Sequence, residues 1–167
     1  MPKWRRDILR HFFSGVIVLI KEILVPGLRT IPPEATILEA SKIMEETGFR
    51  HLPVSDGKKV IGVLSDRDIQ RAITVVSTPN EKTSFHIQKH KKVSEYMSSP
   101  VFKMRCDERL DKLIREVLDR KISSVLIEDE DYNDMGIITT QDLMLVLLDE
   151  LHSRISFFQK VKNIFYK

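Results

Sequence analysis

Apolar positions in this chain change period several times, and the changes mark its elements. Ile37, Ala40, Ile43, Met44 and Thr47 recur at three- and four-residue steps, the spacing of one helix face. Thr36 with Glu39 three residues on forms a capping-box pattern, and Gly48 stands where such a helix ends. "HLPV", the turn "SDGKK" and "VIGVL" then read as a β-hairpin, followed by a helix from Asp66 to about Val76. The same succession returns later. Leu110, Leu113, Ile114, Val117 and Leu118 share a helical face. "SSVLI", the turn "EDEDYND" and "MGIIT" make a second hairpin, and another helix starts near Thr140.

The two passages are in register. Ile37 aligns with Leu110, Ala40 with Leu113 and Met44 with Val117, each 73 residues on. After one extra residue in the acidic turn the offset is 74, and "GVLSDRD" at Gly62 meets "GIITTQD" at Gly136. A duplicated unit is therefore expected, with one copy over 20–77 and the second over 93–151. Residues 78–92, polar and basic with Pro79, read as the linker. Outside the copies two apolar stripes continue at helical spacing. Trp4, Ile8, Leu9, Phe12, Phe13, Val16 and Ile17 mark an N-terminal amphipathic helix over 1–19. Leu143, Leu147, Leu151, Ile155, Phe158, Val161 and Phe165 carry the last helix through 152–167.

Composition narrows the class. With 42% apolar and 31% charged residues among 167, the chain is that of a packed globular protein. Its net charge of +3 hides a split: residues 1–21 and 152–167 carry +4 each, leaving −5 on the duplicated region. The basic ends allow two readings, a contact with an anionic surface, or stripes packed on each other or across a dimer with lysines in water. The apolar run Phe12 to Ile20 is nine residues, short of the roughly 20 that a membrane span needs. Lys21 and Glu22 follow it with no small-x-small cleavage pattern, so no secretory leader is expected. The single cysteine, Cys106, excludes an intrachain disulfide and suits a reducing, cytoplasmic setting.

Few residues suggest chemistry. His86 and His90 have the spacing of a helical zinc pair but no third ligand nearby. The run from Asp129 resembles the start of a calcium loop, yet Asp134 stands where glycine is required and Thr140 where the bidentate glutamate belongs. No nucleophile–base pair stands out, and "GVLSDRD" lacks the GK[ST] ending of a phosphate-binding loop. No enzyme, catalytic residue or metal is expected.

The stretch "TIPPEATILEASKIMEETGFRHLPVSDGKKVIGVLSDRDI" resembles a CBS domain, the module named after cystathionine β-synthase. "VSEYMSSPVFKMRCDERLDKLIREVLDRKISSVLIEDEDYNDMGIITTQDL" resembles a second, so that together they are similar to a Bateman module. The resemblance implies a mixed α+β/α/β fold, two tandem β-α-β-β-α domains related by a pseudo-twofold axis. It further implies clefts between the copies that take an adenosine compound (AMP, ADP, ATP or a relative such as S-adenosylmethionine or NAD, with magnesium accompanying a polyphosphate), and homodimers of disc-like form. The matching regulatory function is a conformational signal to a protein partner. The alternative is a ligand-free CBS dimer, a scaffold whose basic ends hold a protein, a membrane surface or a nucleic acid.

Carried over position by position, the family's nucleotide motif falls on Ser65 and Asp68 in the first copy and on Thr139 and Asp142, with Thr140, in the second. Arg67 would reach a phosphate, with Gln141 as its neutral counterpart. Arg50 and His51, ahead of Pro53, match positions that touch ligand, and Ser123 and Ser124 are their counterparts. Thr30 and Lys103 match the first-strand position, where lysine departs from the usual threonine. A cleft with Arg50, His51 and Arg67 should prefer the more phosphorylated ligand, and one with Thr139, Thr140 and Gln141 a less charged one. Without the resemblance, an aspartate at a helix start is a cap and a hydroxyl residue at a strand end a turn residue.

Overall fold

A computed structural model describes residues 17–76, 84–87, 90–129, 131 and 133–165, with side chains for 17–72, 90–129, 131 and 133–152. Most of the expected helix over 1–19 lies outside the described residues, and 17–19 are not helical. The first repeat contains α1 (Ile37–Thr47), β1 (His51–Ser55), β2 (Val60–Ser65) and α2 (Asp66–Arg71). A hairpin follows, β3 (Ile73–Val76) with β4 (Ser84–Ile87). The second repeat contains β5 (Lys103–Arg105), α3 (Leu110–Arg120), β6 (Ser124–Glu128), β7 (Asp134–Thr139) and α4 (Thr140–Phe165).

The duplication holds to the residue. β1 pairs antiparallel with β2, His51 opposite Ser65, with a bulge after Val54. β6 pairs with β7 in the same way, Ser124 opposite Thr139, with a bulge after Ile127. Thr36 and Glu39 form the expected capping box on α1, and Gly48 closes that helix in the left-handed conformation at φ 72°. The repeats differ at their first strand. β5 lies parallel to β6, whereas the first repeat keeps only one parallel bridge, Ile31 to Val54. Pro32 and Pro33 follow Ile31, and without amide hydrogens they cannot extend that ladder.

Two expectations need correcting. The helix drawn from Asp66 to about Val76 ends at Arg71, and part of the linker drawn over 78–92 is strand β4. Ile73, Thr74, Val75 and Val76 are four β-branched residues in succession, which favours a strand over a helix.

The repeats also exchange their leading turns. Ile20, in the 3₁₀ turn Ile20–Glu22 that opens the first copy, is fully buried in the core of the second, with Leu24, Leu113, Val117 and Val125. Val93, which opens the second copy, is fully buried in the core of the first, with Ile37, Ala40, Leu52 and Leu64. The anchoring hydrogen bonds are themselves duplicated: Ile20 N donates to Glu108 O at 2.9 Å and Val93 N to Ala35 O at 2.8 Å. Each motif glycine makes room for the segment that crosses. A Cβ on Gly62 would come within 3.0 Å of Ser98 O, and one on Gly136 within 3.1 Å of Val25 O. Since each core depends on a turn from the other copy, neither repeat holds its full core alone.

All three central residues of β1 (Leu52, Pro53, Val54) and of β6 (Val125, Leu126, Ile127) are buried, so both strand faces are covered. Helices cover one face. The repeats meet at the other, where His51 Nε2 and Ser123 Oγ are 2.8 Å apart and Val60 N donates to Asp134 Oδ2 at 2.7 Å. α4 runs 26 residues and carries the expected extension over 152–167 as far as Phe165, the last described residue, about 39 Å at the usual rise. Its inner side reaches the second core through Leu143, while Met144, Leu145, Leu147 and Leu148 stand exposed.

Candidate functional site: two clefts between the repeats

The strand-to-helix phrase of each repeat does the same local work. Ser65 N and Oγ donate to Asp68 Oδ2 at 2.8 and 2.7 Å, and Asp68 N donates back to Ser65 Oγ at 3.3 Å. Thr139 N and Oγ1 donate to Asp142 Oδ2 at 2.7 Å each, and Asp142 N returns the bond at 3.3 Å. Both aspartates are therefore capping-box residues that fix a helix start with one oxygen.

Their second oxygens differ. Asp68 Oδ1 accepts from the Arg71 guanidinium, and the residue is 7% exposed. Asp142 Oδ1 has no partner among the described residues, and the residue is only half-buried. The cause is a single position: three residues after Asp68 stands Arg71, and three after Asp142 stands Leu145. On a helix these positions share a face, so an arginine there reaches the carboxylate and a leucine does not.

Each aspartate faces a cleft walled by both repeats. The larger cleft, about 540 Å³, takes Thr139, Thr140, Gln141 and Asp142 from the second repeat. The first repeat contributes Arg50, His51, Pro53, Ser65 and Arg67 together with its leading segment, Val25 to Arg29, and the end of α1, Thr47 to Phe49. The smaller cleft, about 270 Å³, takes Ser65 and Asp68 from the first repeat and Ser123, Ser124 and Lys121 from the second, closed by Pro100, Val101 and Phe102. His51 and Ser123 line both clefts, so their hydrogen bond stands in the wall between them.

This corrects the pairing expected from sequence. Arg50, His51 and Arg67 do not form a charged cleft apart from Thr139, Thr140 and Gln141; the pseudo-twofold packing puts them in the same one. Thr30 and Lys103 line neither cleft. Thr30 is exposed, and Lys103 Nζ is held by Glu128 and Asp134 at 2.8 Å each. Burial pulls the Lys103 pKa down, but those two hydrogen bonds outweigh it and hold the value above that of an ordinary lysine. The sequence reading missed Val25, Leu28, Arg29, Phe49 and Arg71. The charge difference between Arg71 and Leu145 was visible in the alignment of the two copies.

Within the larger cleft Arg50 is already engaged, its Nε donating to Asp66 Oδ2 at 2.8 Å. Burial alone would raise the Asp66 pKa, but that bond and the Arg50 charge keep it below the usual carboxylate value. His51 has a lowered pKa, chiefly because burial disfavours its charged form, with Asp66 opposing. Val25, Leu28, Phe49 and Ile137 supply apolar wall. An apolar wall, a carboxylate with a free oxygen and a cationic rim suit an organic ligand with an apolar part, hydroxyl donors and an anion.

The model of the CBS domain matches residues 20–75 and 93–149. The chain belongs to the CBS-domain family. Its two CBS domains are similar over 81% of the chain, at 26% identity and a TM-score of 0.66, to the CBS domain pair of protein MJ0100, solved with 5′-methylthioadenosine and S-adenosyl-L-methionine. The chain covers 99% of that pair. The fold is shared too with the CBS domain of a bacterial CNNM/CorC family Mg²⁺ transporter in complex with ATP, at 19% identity and a TM-score of 0.64, covering 84% of this chain and 94% of that one. Among curated proteins, a homoserine O-acetyltransferase of Methanohalobium evestigatum is 28% identical over 137 residues, 81% of this chain. The chain spans about a quarter of the length of that relative and of the next ones it matches.

Proposed function

We propose that this CBS pair is a regulatory module that binds an adenosine-containing ligand in its larger cleft. The observation that carries the reading is the free Oδ1 of Asp142 in a cavity of about 540 Å³ walled by both repeats. Its partner oxygen is fixed by Thr139, so the carboxylate is held in place to accept a diol. The crystallised pair at 26% identity holds two adenosine compounds, which supports the same ligand class. The smaller cleft is the weaker candidate, since its carboxylate is taken by Arg71 and its volume lies below the roughly 300 Å³ at which ligand pockets begin.

A ligand that touches both repeats binds their alternative arrangements with different affinity, and that difference is the signal. A coupling of about 1–3 kcal/mol suffices. The listener is a second copy or an effector protein on α4, where Met144, Leu145, Leu147 and Leu148 are exposed as a row that a helix in water would not carry.

The test is calorimetric titration with adenosine, AMP, ADP, ATP and S-adenosylmethionine. Asp142→Asn keeps an oxygen for the cap and removes the anionic acceptor, so affinity should fall at least about tenfold. Asp68→Asn should leave it unchanged. Equal affinities for wild type and Asp142→Asn would defeat the assignment.

A further inference from the structure

The repeats touch at both ends of their paired strands. At the cleft end the contact is His51 with Ser123. At the far end Val60, which opens β2, donates its amide to Oδ2 of Asp134, which opens β7, at 2.7 Å. These two residues lie 74 positions apart and are each other's counterparts, so they meet where the pseudo-twofold axis passes. The bond runs one way, because a valine side chain has no acceptor to return it. Asp134 Oδ1 takes Lys103 Nζ at 2.8 Å, and the same ammonium holds Glu128 Oε1 at 2.8 Å. The three side chains come from neighbouring strands β5, β6 and β7, with Glu128 directly opposite Asp134. Two carboxylates facing each other across a ladder repel, and Lys103 is the cation between them. Their side chains are only 14% and 12% exposed, so loss of the ammonium there costs more than loss of a surface ion pair. The counterparts in the first repeat are Thr30, Ser55 and Val60, all uncharged.

We infer that Lys103 is a positioning residue: it holds Asp134 on the Val60 amide, and this pin fixes how far the repeats part at the end where the clefts open. The resemblance sets Lys103 against the ligand; the geometry gives it a task outside both clefts. A fixed contact at one end of two packed strand pairs is a pivot for the other end. Cleft walls already in place bind a ligand without the cost of arranging them. The link to ligand rests on the function proposed above; the pin itself does not.

Amide hydrogen exchange of the full chain, followed by NMR, tests the pin. Asp134→Ala should speed exchange at Val60 at least about tenfold, while the buried Ala40 amide, bonded to Thr36 O within the first repeat, keeps its rate. Lys103→Met should speed Val60 about three- to tenfold, and Lys103→Arg should bring the rate back towards wild type. Titration with AMP and with S-adenosylmethionine then reads the clefts. Asp134→Ala and Lys103→Met should each weaken binding about three- to tenfold, although neither residue lines a cleft. Unchanged Val60 exchange in Lys103→Met would overturn the positioning role. So would equal acceleration at Val60 and Ala40, the mark of a general loss of stability. Fast Val60 exchange with unaltered affinities would remove the pin's hold on the clefts and leave the adenosine reading standing. If wild type binds neither compound, the function proposed above fails, and the exchange rates alone decide on the pin.

Discussion

In the smaller cleft Asp68 gives one carboxylate oxygen to Ser65 and the other to Arg71; in the larger, Asp142 gives one to Thr139 and keeps the other. The helix starts are duplicates to within about 0.1 Å in every capping bond, yet only one carboxylate has capacity left for a ligand. Capping and binding are thus not rival roles for the motif aspartate. The cap uses one oxygen and fixes the side chain, and the residue one turn on decides what becomes of the other.

The comparison breaks most severely if that residue is moved. Leu145 is 57% exposed, so Leu145→Arg should be accommodated without disturbing the core. It should place a guanidinium on Asp142 as Arg71 is placed on Asp68, and adenosine-ligand affinity should drop by about ten- to a hundredfold. Isothermal titration reads this directly; unaltered affinity would mean that the free oxygen is irrelevant. The reciprocal Arg71→Leu separates charge from volume. It frees Asp68 Oδ1, but the cavity of about 270 Å³ does not grow, so stoichiometry should stay at one ligand per chain.

Much of this architecture is legible in the sequence, and the exceptions have two causes. Periodicity located both hairpins and the capped helix α1, because each is set by residues within a few positions of one another. The strand β3 escaped because a four-residue β-branched run was carried along with the helix before it. The make-up of the clefts escaped for a different reason. Sequence places Arg50 near Asp68 and Thr139 near Ser123, but the pseudo-twofold packing crosses them over. Arg29 enters the larger cleft only because the first copy's leading turn is buried in the second copy's core, and nothing local in "VPGLRT" announces that exchange. The glycines of the two phrases were readable as points of close approach; which backbone approaches them was not.

A gentler probe acts on the wall that the clefts share. His51 faces Asp66 and Asp68, which favour its charged form, and Arg50 and Arg67, which oppose it, but burial dominates and depresses its pKa. The unfolded chain, with a histidine near pH 6.5, then binds more protons than the folded one. The stabilising contribution is complete above about pH 6.5 and is lost as pH falls through the lower folded value. Thermal midpoints measured between pH 7.5 and 5.5 should therefore fall more steeply for wild type than for His51→Gln, whose amide can still meet Ser123. Parallel slopes would show that the wall does not titrate.

The smallest expected effect lies at the ends of α1 and α3. Gly48 closes α1 at φ 72°, and its counterpart Lys121 closes α3 at φ 56°, the only non-glycine with positive φ among the described residues. A side chain in that conformation costs about 1–2 kcal/mol, against about 0.5–1 kcal/mol for the extra freedom that glycine loses on folding. Lys121→Gly should therefore stabilise the chain by about 0.5 kcal/mol, measurable as a shift in the denaturant midpoint. The variant also tests the two clefts against each other, because Lys121 supplies the only formal positive charge lining the smaller one. If ligand sits in the larger cleft alone, affinity is untouched while stability rises. If Lys121→Gly weakens nucleotide binding, the smaller cleft takes part, and the arginine on Asp68 does not close it.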